Sequence, residues 1–197
     1  MVTGNVLPAD LSHLEAQLFE DYGGLGRGPQ RQVFRPDWLH GAGAAPTWMI
    51  GATANAAVRR DALERLGPWD EALGAGRPAG VGEDTEYFYR ALRAGGTIAY
   101  QPTAVVLHHH RPDRVALRQQ LFAYSAGHVA YHLQILARYR DARGLRRLAL
   151  VLPRHYLGRA RWMAGGIDDY PTDLLRTEVL GMLTGPAAWV RSRRTAR

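Results

Sequence analysis

Three groups of residues in the first 110 positions have side chains and spacing suited to chemistry. Glu83 and Asp84 are adjacent carboxylates that directly follow the glycine-rich stretch GPWDEALGAGRPAGVG. A carboxylate on a rigid helix start beneath a loop can act as a general base, taking the proton of an acceptor hydroxyl as a bond forms. The plainer reading is that first-turn acids complement the positive end of a helix. His108, His109 and His110 close a run of strand-forming residues. On an extended strand the outer two point the same way and His109 the opposite way. A divalent-metal site would use His108 and His110 together, or one of them with carboxylates from elsewhere; otherwise the run is a solvated strand end. Asn55 lies among small residues, GATANAA, that would let a ligand approach the backbone closely. Arg111 could hold a phosphate as a bidentate donor, or simply make a surface ion pair.

These residues need elements to position them. Leu11, Leu14, Leu18 and Phe19 recur at helical spacing and predict a helix over 11–22 with Asp10 as its N-cap. The glycine-rich run from Gly23 to Pro46 reads as a long loop, and loops of that length are usually lids or binding loops. Trp48–Ile50 suggests a short strand. A helix starting at Asp61 could be closed by a D-x-x-E capping box with Glu64 and stopped at Gly67. Glu83-Asp84 open the next helix, with Phe88, Ala91 and Leu92 buried and Gly95-Gly96 ending it. TIAYQPTAVVLHHHR reads as two strands broken at Pro102. Beyond Arg111, Leu117, Leu121, Tyr124, His128, Tyr131 and Ile135 predict one long helix. A basic helical region follows over about 145–163, interrupted at Pro153 and Gly158, and RSRRTAR reads as a disordered tail.

Composition narrows the class. The 197 residues are 46% hydrophobic, enough for a sizeable core, and contain no cysteine. Disulfides, thiolate metal sites and cysteine nucleophiles are therefore excluded. The first residues lack the layout of a signal peptide, and no apolar run reaches the ~18 residues of a membrane span. A cytoplasmic location is expected, free or peripheral at the inner face of the plasma membrane. The net charge is +7, and every basic residue is arginine. Residues 1–110 hold 9 Arg against 12 acids, whereas residues 111–197 hold 16 Arg against 6 acids. The basicity thus belongs to the C-terminal part alone. Between Arg138 and Arg161 it is interleaved with leucine, Tyr156 and Trp162, which suits an anionic membrane surface. A packed helix with a solvated arginine face is the alternative. Nucleic acid is the runner-up for the charge alone, but it is not expected as a partner because no recognisable binding motif accompanies the charge.

Taken in order, GATANAAVRRDALERLGPWDEALGAG and GEDTEYFYRALRAGGTIAYQPTAVVLHHHR resemble the acceptor-side half of bacterial glycosyltransferase family 2 enzymes. Four blocks of that family recur with compatible separations: a small-residue/Asn run, a G-x-[FW]-D-E loop, G-E-D at a helix start, and a strand ending H-x-H-R. The likeness covers about Val2 to Leu136, including VTGNVLP, FEDYGGLGRG and RQQLFAYSAGH.

The resemblance implies an α/β fold of GT-A type, Rossmann-like, and a metal-dependent transferase using a nucleotide-sugar donor. It implies that Asp84 is the catalytic base of an inverting transfer, with Glu83 as its neighbour in the motif. His108 would be a ligand of Mg²⁺ or Mn²⁺, with His110 as the second member of H-x-H. Trp69 and Asp70 would line the acceptor side, and the acceptor would be a cell-surface glycan or lipid-linked, as in polysaccharide biosynthesis. The family's donor half carries a D-x-D motif, and no D-x-D occurs here. The reading is therefore an incomplete, truncated GT-A half-domain over 1–111, a mainly helical basic extension over 112–190, and a disordered tail over 191–197. A separate N-terminal half chain is the implied partner. The Q-x-x-R-W signature of processive synthases is absent, which favours single sugar addition. The alternative function is a non-catalytic remnant that binds a membrane or partner through its basic region.

Overall fold

The computed structural model describes residues 1–41 and 45–196 and falls into two compact units. The first comprises Met1–Asp70 and Glu83–Leu117; the second comprises Glu71–Gly82 and the chain from Arg118 onward. An α/β unit is thus followed by a helical C-terminal region. The loop over 71–82, however, belongs with the C-terminal helices and not with the residues that flank it in sequence.

The first unit is built on an open mixed sheet of four strands in the order β2-β4-β1-β3. β1 (Val2–Pro8) and β4 (Ile98–His108) are parallel, while β2 (Gln32–Phe34) and β3 (Ala56–Ala57) pair antiparallel at either side. The proline break expected at Pro102 does not divide β4. Gly4 pairs with Gln101 and Asn5 with Val105, so residues 102–104 bulge out of a single strand. Proline has no N–H to give the ladder, and a bulge is where a strand can accommodate it. Asn55 bridges this irregularity, donating from Nδ2 to the carbonyls of Asn5 (3.0 Å) and Ala104 (2.8 Å).

α1 (Leu14–Tyr22) begins three residues later than its apolar spacing suggests. Asp10 does not cap it; its carboxylate accepts instead from the backbone N–H and hydroxyl of Ser12, forming a turn ahead of the helix. The expected long loop contains β2 and α2 (Pro36–Gly41), and its residues 42–44 lie outside those described. Trp48 falls in a 3₁₀ turn, Thr47–Met49, where a strand was expected. α3 (Arg60–Leu66) has no side-chain cap, because Asp61 is drawn into ion pairs with Arg59 and Arg65. Gly67 ends it, as expected, with a positive φ of 74° that favours glycine.

α4 (Glu83–Arg93) buries Phe88, Ala91 and Leu92 as expected, together with Tyr87 and Tyr89. Val6, Phe19, Phe34, Ile50, Ile98 and Tyr100 are also buried in this unit. A buried ion pair crosses one turn of α4: Arg90 Nη2 donates to Glu86 Oε2 at 2.8 Å. Arg90 Nη1 donates to the carbonyls of Leu66 (2.7 Å) and Pro68 (2.9 Å), tying the chain after α3 to α4.

The second unit is helical. α5 (Arg114–Tyr139) buries Leu121, Tyr131 and Ile135 within it. α6 (Arg143–Arg146), a π turn over Arg147–Val151 and α7 (Leu152–Ala164) run on without a break. Pro153 does not interrupt them; it is the second residue of α7, directly after the π turn. Gly158 lies inside α7. α8 (Thr172–Thr195) covers residues 191–195 of the segment expected to be a disordered tail, of which Arg197 lies outside the described residues. Ser192 is fully buried there, and its hydroxyl accepts the N–H of Ala79 at 2.9 Å, so the end of α8 fastens the 71–82 loop. α8 approaches α5 through Gly181 and Gly185: a Cβ at either would come within 2.5 Å of Phe122 O or Val129 Cβ. Among the described residues no helix is long and apolar enough to cross a membrane.

Candidate functional site

Two side-chain constellations stand out in the first unit, flanking the loop that joins α1 to β2. The first centres on Asp84. Gly82 precedes α4, so Glu83 and Asp84 fall in its first turn, at the positive end of the helix. Asp84 as a whole is half-buried, and the protein around its carboxyl group desolvates it. Oδ1 accepts from the N–H of Thr85 at 2.6 Å and lies 3.2 Å from its hydroxyl; the carboxyl also accepts the N–H of Thr53. Arg27 lies close enough to act on it electrostatically. Burial dominates over these stabilising contacts and raises the Asp84 pKa above the usual aspartate value. A carboxylate made more basic in this way, yet surrounded by polar groups, suits a proton acceptor.

Arg27 is held firmly. Its guanidinium donates to the carbonyls of Gly26 (2.7 Å) and Trp48 (3.0 Å). The backbone around it is fixed by Tyr100, whose hydroxyl donates to the carbonyl of Gly28 at 2.8 Å. Thr47 Oγ1 donates to the carbonyl of Thr85 (2.8 Å), so the 3₁₀ turn holding Trp48 is locked to the start of α4. A charge that arrives beside Asp84 thus meets a guanidinium held by three backbone carbonyls, those of Gly24, Gly26 and Trp48.

The second constellation is a hydrogen-bonded chain of three residues. β4 ends at His108, paired in register with Pro8, and the carbonyl of His108 accepts the N–H of Ala9. His108 Nδ1 lies 3.0 Å from His110 Nδ1, and His110 Nε2 lies 2.7 Å from Glu20 Oε1 on α1. The His110 side chain has no exposed surface, and the edge of Phe19 packs against its ring at 4.7 Å. Gly24, at φ 48°, makes room for the Glu20 carboxylate; a Cβ there would come within 2.6 Å of it. With Glu20 ionised and His110 neutral, His110 Nε2–H donates to Glu20 and Nδ1 accepts the proton of His108 Nδ1. That tautomer leaves His108 Nε2 as the lone-pair nitrogen. Among the described residues His108 Nε2 has no hydrogen-bond partner. Desolvation, followed by His110, Arg111 and His109, lowers the His108 pKa and favours the neutral ring.

The chain therefore places the two outer histidines together but gives them different positions. Both ring nitrogens of His110 are engaged by protein groups, while His108 keeps one nitrogen available. Such a partner behind a ligating imidazole fixes its tautomer and orientation. Among the described residues no group of three or more His, Asp or Glu side chains could hold a metal ion. These residues offer a divalent ion one imidazole and do not by themselves build a metal centre.

The remaining expected residues are dispersed around α4 and β4. Trp69 stacks on Tyr87 with ring centroids 4.2 Å apart and planes 9° off parallel. Asp70 follows it, half-buried. The amide nitrogen of Asn55 is spent on the β1–β4 irregularity. Arg111 is exposed beyond the histidines. Glu20, Arg27 and Thr53 were not identified from sequence. Glu20 and Arg27 flank GGLG, a spacing with no periodic signal, and Thr53 contributes only its backbone. Comparisons with protein-family models, with curated proteins and with solved structures return no match.

Proposed function

We propose that this chain is the acceptor-side and general-base portion of an inverting nucleotide-sugar glycosyltransferase of the family 2 type, with Asp84 as the base. The observation that supports it most is the Asp84 carboxyl: desolvated, more basic than usual, hydrogen-bonded to Thr85 and Thr53, and faced by Arg27. In the proposed step, Asp84 takes the proton of an acceptor hydroxyl while its oxygen bonds to the anomeric carbon. The bond from that carbon to the diphosphate oxygen breaks, and the electron pair leaves with the nucleoside diphosphate. Glu83 is its neighbour in the first turn of α4. Trp69, fixed by Tyr87, offers an apolar ring face to a sugar, with Asp70 beside it as an acceptor for hydroxyls. Arg111 and Arg27 supply positive charge for a diphosphate. A divalent ion, when bound, would neutralise the leaving diphosphate, and His108 is the residue here suited to touch it.

No D-x-D occurs in the sequence, so the donor-binding acids are sought in a separate polypeptide segment. The test is a transfer assay with this chain and a D-x-D-bearing half, using a nucleoside diphosphate sugar and a lipid-linked acceptor. Asp84→Asn should lower transfer roughly 10²- to 10⁴-fold while leaving donor binding intact. Transfer undiminished by Asp84→Asn removes Asp84 as the base. Calorimetry with Mg²⁺ or Mn²⁺ and the sugar nucleotide would show whether this chain binds the donor alone.

A further inference from the structure

α7 is unusual in burying none of its 13 residues. One side of it is nevertheless anchored. Tyr156 donates to Glu178 Oε2 on α8 (3.3 Å), and Tyr170 donates to Glu178 Oε1 (2.6 Å). Arg159 donates to Asp168 (2.9 Å) and lies over the Tyr170 ring at 3.7 Å. The opposite side carries Arg154, Leu157 and Arg161 at helical spacing, with His155, Gly158 and Trp162 in the adjacent row. Leu157 is 58% exposed and Trp162 59%. Leu150 and Val151 in the preceding π turn, and Ile167 just beyond α7, continue the exposed apolar surface. Between positions 142 and 167 there are six arginines and no acid. Three of them, Arg146, Arg154 and Arg161, have no ion-pair partner among the described residues. Arg154, His155, Arg159 and Trp162 also border an open depression of about 400 Å³ closed by Asp168.

The geometry points to α7 and its flanking turns as a docking surface for an anionic phospholipid bilayer. Two features select that occupant. Leucine, isoleucine and tryptophan side chains left in water are stabilised by entering the acyl boundary, while arginines in the same rows reach back to phosphates on long stems. A second copy of this chain would instead bring the exposed Arg146, Arg154 and Arg161 of one surface against the same three of the other, which charge repulsion opposes. In the depression Arg154 supplies the cation for one lipid phosphate and Trp162 an apolar wall, while the Asp168 carboxylate there is neutralised by Arg159. This inference does not depend on the reading of Asp84.

The test is sedimentation of the full chain with phosphatidylcholine vesicles and with vesicles containing phosphatidylglycerol, at rising salt. Binding is expected to the anionic vesicles only and to weaken with salt. Arg154→Gln/Arg161→Gln should lower partitioning roughly 25-fold, about fivefold for each arginine. Leu157→Ala/Trp162→Ala should lower it about tenfold or more. All four side chains are exposed, so circular dichroism of both variants should match the parent. Equal binding to neutral and anionic vesicles overturns the proposal. So does the absence of binding to either, or parent-like binding by both variants. Tighter binding to tRNA than to anionic vesicles at the same salt would reassign the surface to nucleic acid.

Discussion

The Glu86–Arg90 pair offers a quantitative test of how α4 is held. Glu86 is fully buried, and the Arg90 side chain is 10% exposed. Arg90→Met removes the charge-assisted bond to Glu86 and leaves that carboxylate buried without its counter-ion. It also deprives the carbonyls of Leu66 and Pro68 of their donor. Breaking a buried pair from one side costs about 3–5 kcal/mol, a large part of a domain's usual stability of about 5–15 kcal/mol. Replacing both partners, Glu86→Leu/Arg90→Met, removes the stranded charge and leaves only the two carbonyls to be resatisfied. That double variant should cost about 1–3 kcal/mol, less than the single one. Urea unfolding of the parent, Arg90→Met, Glu86→Leu and the double variant completes the cycle. A near-UV signal from the Trp69–Tyr87 stack should change in the single variant, because the chain between α3 and Trp69 loses its anchor. The reasoning fails if the double variant is as destabilised as Arg90→Met.

Three further outcomes are expected. Asp84→Asn should raise the melting temperature at pH 7. Burial raises the folded Asp84 pKa, so between the unfolded value and that raised value the folded state binds more protons, and stability falls as pH increases; the gain from Asn should therefore shrink toward pH 4, and a gain that grows on acidification refutes the sign. Asn55→Ala should cost about 1–2 kcal/mol by thermal unfolding, since two carbonyls at the β1–β4 irregularity lose their donor, and an unchanged melting temperature would show that the bulge does not need it. Ser192→Ala should cost about 1–3 kcal/mol and speed amide exchange at Ala79, whose buried N–H would be left without an acceptor.

Much of the framework was legible wherever local chemistry and tertiary packing agree. The glycines after α3 and α4 sit in positive-φ stops, and the apolar spacing of α4 and α5 marks the faces that are buried. Legibility was lost where a long-range partner decides. Asp10 and Asp61 look like helix caps, but Ser12 and two arginines compete for them. Pro102 looks like a break, yet Asn55, 47 residues upstream, bridges the bulge beside it. RSRRTAR looks like a solvated tail because its charge hides Ser192, the residue that the 71–82 loop bonds. At the candidate site Asp84 and His108 could be singled out by residue type and position. Glu20 and Arg27 could not, because their importance comes from a loop that brings them to groups 57 or more positions away.

The central claim is that the fold makes Asp84 a stronger base than an ordinary aspartate without sealing it in apolar packing. A carboxyl ¹³C NMR titration of the full chain, assigned through Asp84→Asn, measures this directly. The account predicts a midpoint for Asp84 above the unperturbed value of 3.8. A midpoint at or below 3.8 would contradict it, because the contacts with Thr85, Thr53 and Arg27 would then outweigh burial.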